Sequence, residues 1–279
     1  MEIGIFAATT DYAAPAHIVA AACEERGFES FWVPEHTHIP ASRESAFPGG
    51  GELPKEYSHL LDPFACLSAA AAVTRTIKLG TAICLVVEHD PIVLAKQVAS
   101  LDWLSGGRVL LGVGGGWNRE EMRHHGTDTA QRWSVLRERI EAMKAIWMQD
   151  EASYAGKHVS FDRVWAWPKP VQRPHPPILM GSSTPAGIRR TVRYCDGWLP
   201  IGSPRLPAQL EELRAVASAE GRDPDSIPVT VFWARARLDE LMRYRDLGVK
   251  RVILSVAAGS LDEVLPRLDR LAELRRELG

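Results

Sequence analysis

Cysteine is scarce: Cys23, Cys66, Cys84 and Cys195 are the four in 279 residues. They lie far apart without metal-ligand spacing, which excludes a disulfide-stapled scaffold and a zinc module and reads as reduced, mostly buried thiols. A surplus charge of one sign is also missing. Thirty-three Lys and Arg stand against thirty-five Asp and Glu, a formal net charge of -2. Nothing is left over to neutralise a phosphate backbone, so nucleic acid is not an expected partner. No apolar run approaches the ~20 residues of a membrane span, and Met1-Glu2-Ile3-Gly4 lacks the charged-then-apolar start of a secretory signal. Repeats, low-complexity stretches and linkers are absent too. A single cytoplasmic domain over residues 1–279, away from membranes, is the expectation.

What is present is ample core material: 46% of the residues are hydrophobic and 24% charged, the balance of a packed globular domain. Strand-like runs occur at 2–8, 30–34, 77–85, 108–113, 177–181, 197–201, 228–233 and 251–256. Amphipathic or proline-initiated helical runs fill 15–26, 62–74, 91–104, 131–149, 185–194, 206–220, 238–247 and 261–278. Asp62-Pro63 makes a good cap and first-turn pair, and Gly27 a good stop. Alternating βα units imply a parallel sheet with helices outside it. Eight units at about 35 residues each favour an α/β fold of the single (β/α)8 TIM-barrel type over an open doubly wound sheet. Two stretches break the rhythm and predict insertions after strands two and four. Residues 39–61 are long for a βα loop, as lids and binding loops are. Residues 151–176 read as a small hairpin and a proline-stiffened return.

Chemistry on a barrel gathers at the C-terminal ends of the strands. Strand five runs into Gly181-Ser182-Ser183-Thr184-Pro185, where small residues and a helix start let N–H groups and hydroxyls converge on an anion. An ordinary capped turn accounts for the same residues. Gly112-Val113-Gly114-Gly115-Gly116-Trp117 is a near-match to the dinucleotide fingerprint, with Trp117 in the sixth position. Either a flat ligand lies against this backbone or the glycines serve tight strand packing. His36 and His38 point the same way if strand two continues. Metal hydrolysis needs further ligands at later strand ends, and Met180, Ile201 and Val256 offer none, so no metal site is expected. His36 is the candidate catalytic or cofactor-facing group, with a structural histidine bonded to Glu35 as the alternative. His124 and His125 read as a solvated face. Trp32, Trp117, Trp198 and Trp233 fall at or near strand ends, where they fill core or face a flat ring.

Several segments together resemble the bacterial luciferase-like family of flavin and deazaflavin oxidoreductases. They are Gly27–His36, Ile77–Thr81 through His89-Asp90-Pro91, Leu101–Arg108, Leu111–Trp117, Pro176–Gly181 and Asp196-Gly197-Trp198. The resemblance covers nearly the whole chain and is strongest to members using coenzyme F-420. It implies a barrel that binds the deazaflavin ring at its C-terminal mouth, with a homodimer common in the family. It also implies a non-prolyl cis peptide within Ile83–Leu85 behind the ring, His36 beside the ring, and a phosphate-binding loop at Gly181, Ser182, Ser183 and Thr184. Glu35, Ile83, Cys84, Leu85, Gly114, Gly115, Gly116 and Trp117 complete the expected cofactor contacts. One departure stands out: the family's sugar-phosphate dehydrogenases carry a catalytic Glu where this chain has Trp117, so that oxidation is not expected. Glu120 and Glu121 would reach the mouth only if their loop folds back. The expected activity is hydride exchange between F-420 and a small organic substrate. The alternatives are an FMN-dependent luciferase-like monooxygenase and a cofactor-binding barrel without turnover.

Overall fold

In the computed structural model, which describes residues 1–279, eight strands form one all-parallel sheet: β1 (Glu2–Ala7), β2 (Ser30–Val33), β3 (Lys78–Cys84), β4 (Val109–Val113), β7 (Ile178–Met180), β8 (Gly197–Trp198), β9 (Thr230–Val231) and β10 (Arg251–Val256). They pair in chain order. The first and last are joined by the Glu2–Arg251 to Ala7–Val256 register, and the β8–β9 seam is closed by parallel bridges at Trp198–Val229 and Ile201–Phe232. This is the expected (β/α)8 barrel. The strands at 197–201 and 228–233 are shorter than the sequence predicts, because the closing seam is held by isolated bridges rather than a continuous ladder.

The helices outside are α1 (Ala16–Glu25), α2 (Pro63–Val73), α3 (Pro91–Ser105), α4 (Arg119–His124), α5 (Arg132–Met148), α6 (Pro185–Tyr194), α7 (Leu206–Ala219), α8 (Leu238–Asp246) and α9 (Leu261–Leu278). Local sequence fixes several ends. Asp62 accepts from the Ala65 N–H and Asp90 from those of Ile92 and Val93, each just before a proline at the first helical position. Gly106 ends α3 at φ +67, which glycine adopts without steric cost. The hairpin β5 (Ala152–Ala155) and β6 (Ser160–Val164) fills the second insertion. Helix α4 was not anticipated; at six residues it is too short to show a periodic pattern.

Two cores result. The larger packs strands against helices, and the smaller fills the barrel itself with Trp32, Ala82, Leu110, Leu179, Leu199 and Ile253. Trp32 sets the neighbours it can have: a Cβ on Gly80 would sit 2.2 Å from its ring, and one on Gly4 2.7 Å from its Nε1. Below it, the buried Arg251 donates to Glu29 and Glu2 at 2.5–2.8 Å and to Thr230 at 3.1 Å. The lower end of the barrel is therefore filled by ion-paired side chains.

Candidate active site

The upper mouth holds a cavity of about 490 Å³. Its floor is Ala82, Ile83 and Leu85, at the end of β3. The Ala82–Ile83 peptide is cis, one bond earlier than the Ile83–Leu85 stretch expected. The walls come from Gly115–Trp117, Gly181–Ser183, Leu199, Ile201, Phe232 and Trp233, with Phe47 and Tyr57 contributed by the insertion after β2. Side chains with a formal charge are few here: of the Asp, Glu, Lys and Arg residues only Glu35 touches the lining.

His36 is the polar centre of this surface. Its Nδ1 lies 2.6 Å from Glu121 Oε2, and the indole Nε1–H of Trp117 donates to its Nε2 at 3.2 Å. An indole nitrogen can only donate and an ionised carboxylate only accept. The neutral ring therefore carries its proton on Nδ1, toward Glu121, and presents the Nε2 lone pair to Trp117 and the cavity. Glu121 is held in turn by the Thr37 N–H at 3.0 Å and by Asn118, whose side chain caps α4 at the Glu121 N–H. The expected requirement that the loop after Trp117 fold back is met: α4 carries Glu121, fully buried, against the catalytic candidate.

The aromatic rings pack around that centre. Tyr57 and Trp117 lie 5.5 and 5.6 Å from the His36 ring, and Phe47 is 5.1 Å from Tyr57 and 6.0 Å from Trp117. On the far wall Trp233 stacks on Phe232 at 4.9 Å, with 41% of it exposed and its backbone at φ +55. That left-handed conformation is uncommon for a bulky residue.

Glu35 faces inward from its lining position. Its oxygens take the Leu85 N–H at 2.5 Å and His89 Nε2 at 2.8 Å, so it fixes the backbone immediately beyond the cis peptide. Burial pushes the His89 imidazole down, but the hydrogen bond and charge of Glu35 leave it above the usual range. Cys84 does not line the cavity: its thiol is fully buried beside Glu35, and desolvation pushes it well up. Ligand atoms of Glu35, Cys84 and His89 lie within 4.8 Å of one another, but both Glu35 oxygens are already engaged.

Gly114, expected among the cofactor contacts, is not part of the cavity lining. A Cβ there would lie 2.0 Å from Ile83 Cδ1, and one on Gly181 2.7 Å from Ile83 Cγ2. These glycines make room for the floor side chain rather than leaving backbone bare. Gly115 likewise makes room for the Trp133 ring, 2.9 Å from its Cβ position. Gly116 is glycine for its backbone, at φ +67. Tight packing therefore explains much of this glycine cluster.

In the loop after β7, Thr184 caps α6 by accepting from the Gly187 N–H at 3.0 Å and is exposed outside the cavity. Ser183 Oγ accepts from the Ile201 N–H at 3.0 Å. The Ser182 and Ser183 carbonyls are tied back by Trp198 Nε1 at 2.7 Å and Gln209 Nε2 at 2.6 Å. Because a trans peptide points its N–H opposite its carbonyl, the Ser183 and Thr184 N–H groups face away from those partners. The Ser183 N–H has no acceptor in the protein.

Behind Gly116 lies Glu88, whose two carboxyl oxygens are buried without a hydrogen-bond partner. Burial, and then the charges of Glu121 and Glu35, raise its pKa to about 9. The histidines set aside as solvated face join the same network: His125 Nε2 contacts Thr37 Oγ1 at 2.7 Å, and His124 Nδ1 contacts His38 Nε2 at 2.8 Å. No spacing in the sequence links Glu121 to His36, 85 residues away, so only the clustering of Glu120, Glu121, His124 and His125 in one segment offered a signal.

Barrel and mouth together define an enzyme of the (β/α)8 type whose site is an apolar slot with one carboxylate-oriented histidine. More narrowly, residues 1–267 match the family of luciferase-like monooxygenases, and the chain belongs to it. An uncharacterised protein of Mycobacterium tuberculosis is 43% identical over 281 residues, covering 98% of each chain. F420-dependent hydroxymycolic acid dehydrogenase of the same organism is 28% identical over 262 residues, 91% of this chain and 67% of that one. FMNH(2)-dependent dimethylsulfone monooxygenase of Pseudomonas putida is 35% identical over 158 residues, 55% of this chain and 43% of that one. The family thus has deazaflavin- and flavin-dependent members. No helix is long and apolar enough to cross a membrane.

Proposed function

We propose that this protein is an oxidoreductase that exchanges hydride between deazaflavin coenzyme F-420 and a small, uncharged organic substrate. The observation that carries the reading is His36, fixed as the Nδ1–H tautomer by Glu121 with its Nε2 turned to an apolar slot. The residues fit such a cofactor. Ala82, Ile83 and Leu85 offer a flat apolar floor, and the unpartnered Ser183 N–H beside the start of α6 suits a phosphate. A bound deazaflavin supplies the hydride chemistry, and the chain supplies position and proton handling.

His36 Nε2 accepts a proton or hydrogen bond from a substrate hydroxyl when Trp117 gives up its contact, and Glu121 stabilises the imidazolium so formed. Phe47, Tyr57 and Trp117 cover this end of the slot and exclude water. The scarcity of charge in the lining selects against phosphorylated or ionised substrates, because a buried charge without a partner is costly. F420-dependent hydroxymycolic acid dehydrogenase is matched over 91% of this chain and the FMNH(2)-dependent monooxygenase over 55%, which supports the deazaflavin over FMN. Binding titrations with F-420 and with FMN, followed by fluorescence, test the choice. Micromolar F-420 binding that is lost in Ser183→Asp is the expected result. Binding of FMN alone, with reduced FMN consuming oxygen, overturns it in favour of a monooxygenase; binding without turnover leaves a carrier barrel.

A further inference from the structure

Beside the loop after β7, the mouth carries positive charge that nothing in the protein balances. The Arg190 guanidinium, on α6, lies 4.0 Å over the ring of Trp133, and that of Arg132 lies 5.5 Å from the same ring. Trp133 in turn lines the cavity and packs on Gly115. Arg190 is half-buried yet donates no hydrogen bond within the protein. Arg132 gives one hydrogen bond, to the Thr129 carbonyl at 2.8 Å, while its Nε is buried without a partner. Desolvation and then the repulsion of Arg132 and Arg189 lower the Arg190 pKa, and only the Tyr194 phenol acts the other way; no carboxylate does. A cluster of like charges, partly desolvated and with free donors, is unfavourable in the protein by itself and becomes favourable when an anion docks.

We propose that Arg190 and Arg132, set on the Trp133 ring, bind the carboxylates of the cofactor's oligoglutamate tail as it leaves the cavity past Ser183. This rests on the F-420 reading above and adds to it a site for the tail, separate from the loop that faces the phosphate. Arginine suits the task because its planar fork pairs with carboxylates while its face stacks on an aromatic ring.

The test compares F-420 carrying several glutamates with the same phosphorylated deazaflavin carrying none. Kd is measured by fluorescence at low and high salt for wild type, Arg190→Gln, Arg132→Gln and Arg190→Lys. Wild type should bind the glutamylated form more tightly, and that preference should shrink as salt screens it. Arg190→Gln should weaken the glutamylated form about tenfold and leave the tail-free form unchanged, as loss of one charge-assisted contact implies. Arg132→Gln should show a smaller loss of the same kind, and Arg190→Lys should recover part of the affinity. Equal wild-type affinity for the two forms, or an unaffected Arg190→Gln, overturns the tail site while leaving the cofactor reading intact. Equal weakening of both forms assigns the guanidinium to the phosphate and also overturns it. Wild type that binds neither form removes the F-420 reading and this inference together.

Discussion

At the scale of single residues, two groups near the mouth carry distinct predictions, His36 and Glu88. His36 has its tautomer set by Glu121 on one side and Trp117 on the other. His36→Gln should therefore lower kcat by ~10²–10⁴ while F-420 affinity stays within a few-fold, read by steady-state rates beside a binding titration. Glu121→Gln keeps the shape but accepts a proton less readily and leaves the ring orientation unspecified, so kcat should fall with little change in KM. Unchanged rates in both variants would show that His36 only shapes the slot. Glu88 poses the opposite case. Its folded-state pKa of about 9 lies far above its ordinary value of 4.5, so folding takes up a proton between those values. Stability from this group is full below pH 4.5 and declines as pH rises through 9, by about 1.4 kcal/mol per pH unit in between. Glu88→Gln should flatten that decline, seen as a Tm that changes less between pH 6 and 9 than in wild type.

At the scale of elements, the loops and caps at the mouth divide their labour. Thr184, expected in the phosphate-binding loop, holds the start of α6 through the Gly187 N–H. Thr184→Ala should cost about 1 kcal/mol, a drop of roughly 2–4 °C in Tm for a domain of this size, with cofactor affinity nearly unchanged. A large loss of affinity without loss of stability would return Thr184 to the binding set. The glycines of β4 tell a related story. Their spacing was visible in the sequence, but what occupies the vacated space, Ile83 at Gly114 and Trp133 at Gly115, was not, because those side chains arrive from other elements. Helix α4 escaped for a different reason: a six-residue helix is defined by its Asn118 cap and its packing, not by periodicity.

At the scale of the whole molecule, the barrel is stitched shut at its lower end by Arg251, which ties β10 to β1 through Glu2 and to Glu29 before β2. Burial pushes the Glu29 carboxyl up, but the Arg251 hydrogen bond and charge hold it down at about 2. Its stabilising contribution is present above the unfolded value of 4.5 and is lost as pH falls toward 2, so Tm should fall across that window, and by less in Glu29→Gln. Arg251→Met removes the buried guanidinium and leaves the half-buried Glu29 and Glu2 only their lysine partners, Lys78 and Lys250, so it should destabilise by about 1–3 kcal/mol, measured by denaturant unfolding. A Glu2→Gln, Glu29→Gln background should recover much of that loss. If the upper mouth binds a cofactor, Tm should rise with its concentration in step with the measured Kd.

The sequence by itself determined the βα alternation, the caps, the two insertions and the strand ends at which chemistry would gather, since these follow from periodicity and from proline, glycine and aspartate acting on their own backbone. It also marked His36 and Ser182–Ser183 as site candidates, and these residues line the mouth cavity. Tertiary structure alone decided that Glu121 orients His36, that Cys84, Gly114 and Thr184 turn away from the cavity, and that Arg132 and Arg190 meet on one indole. Those outcomes depend on contacts between segments far apart in the chain, whose geometry is set only when the barrel closes and the packing leaves each side chain a single place to go.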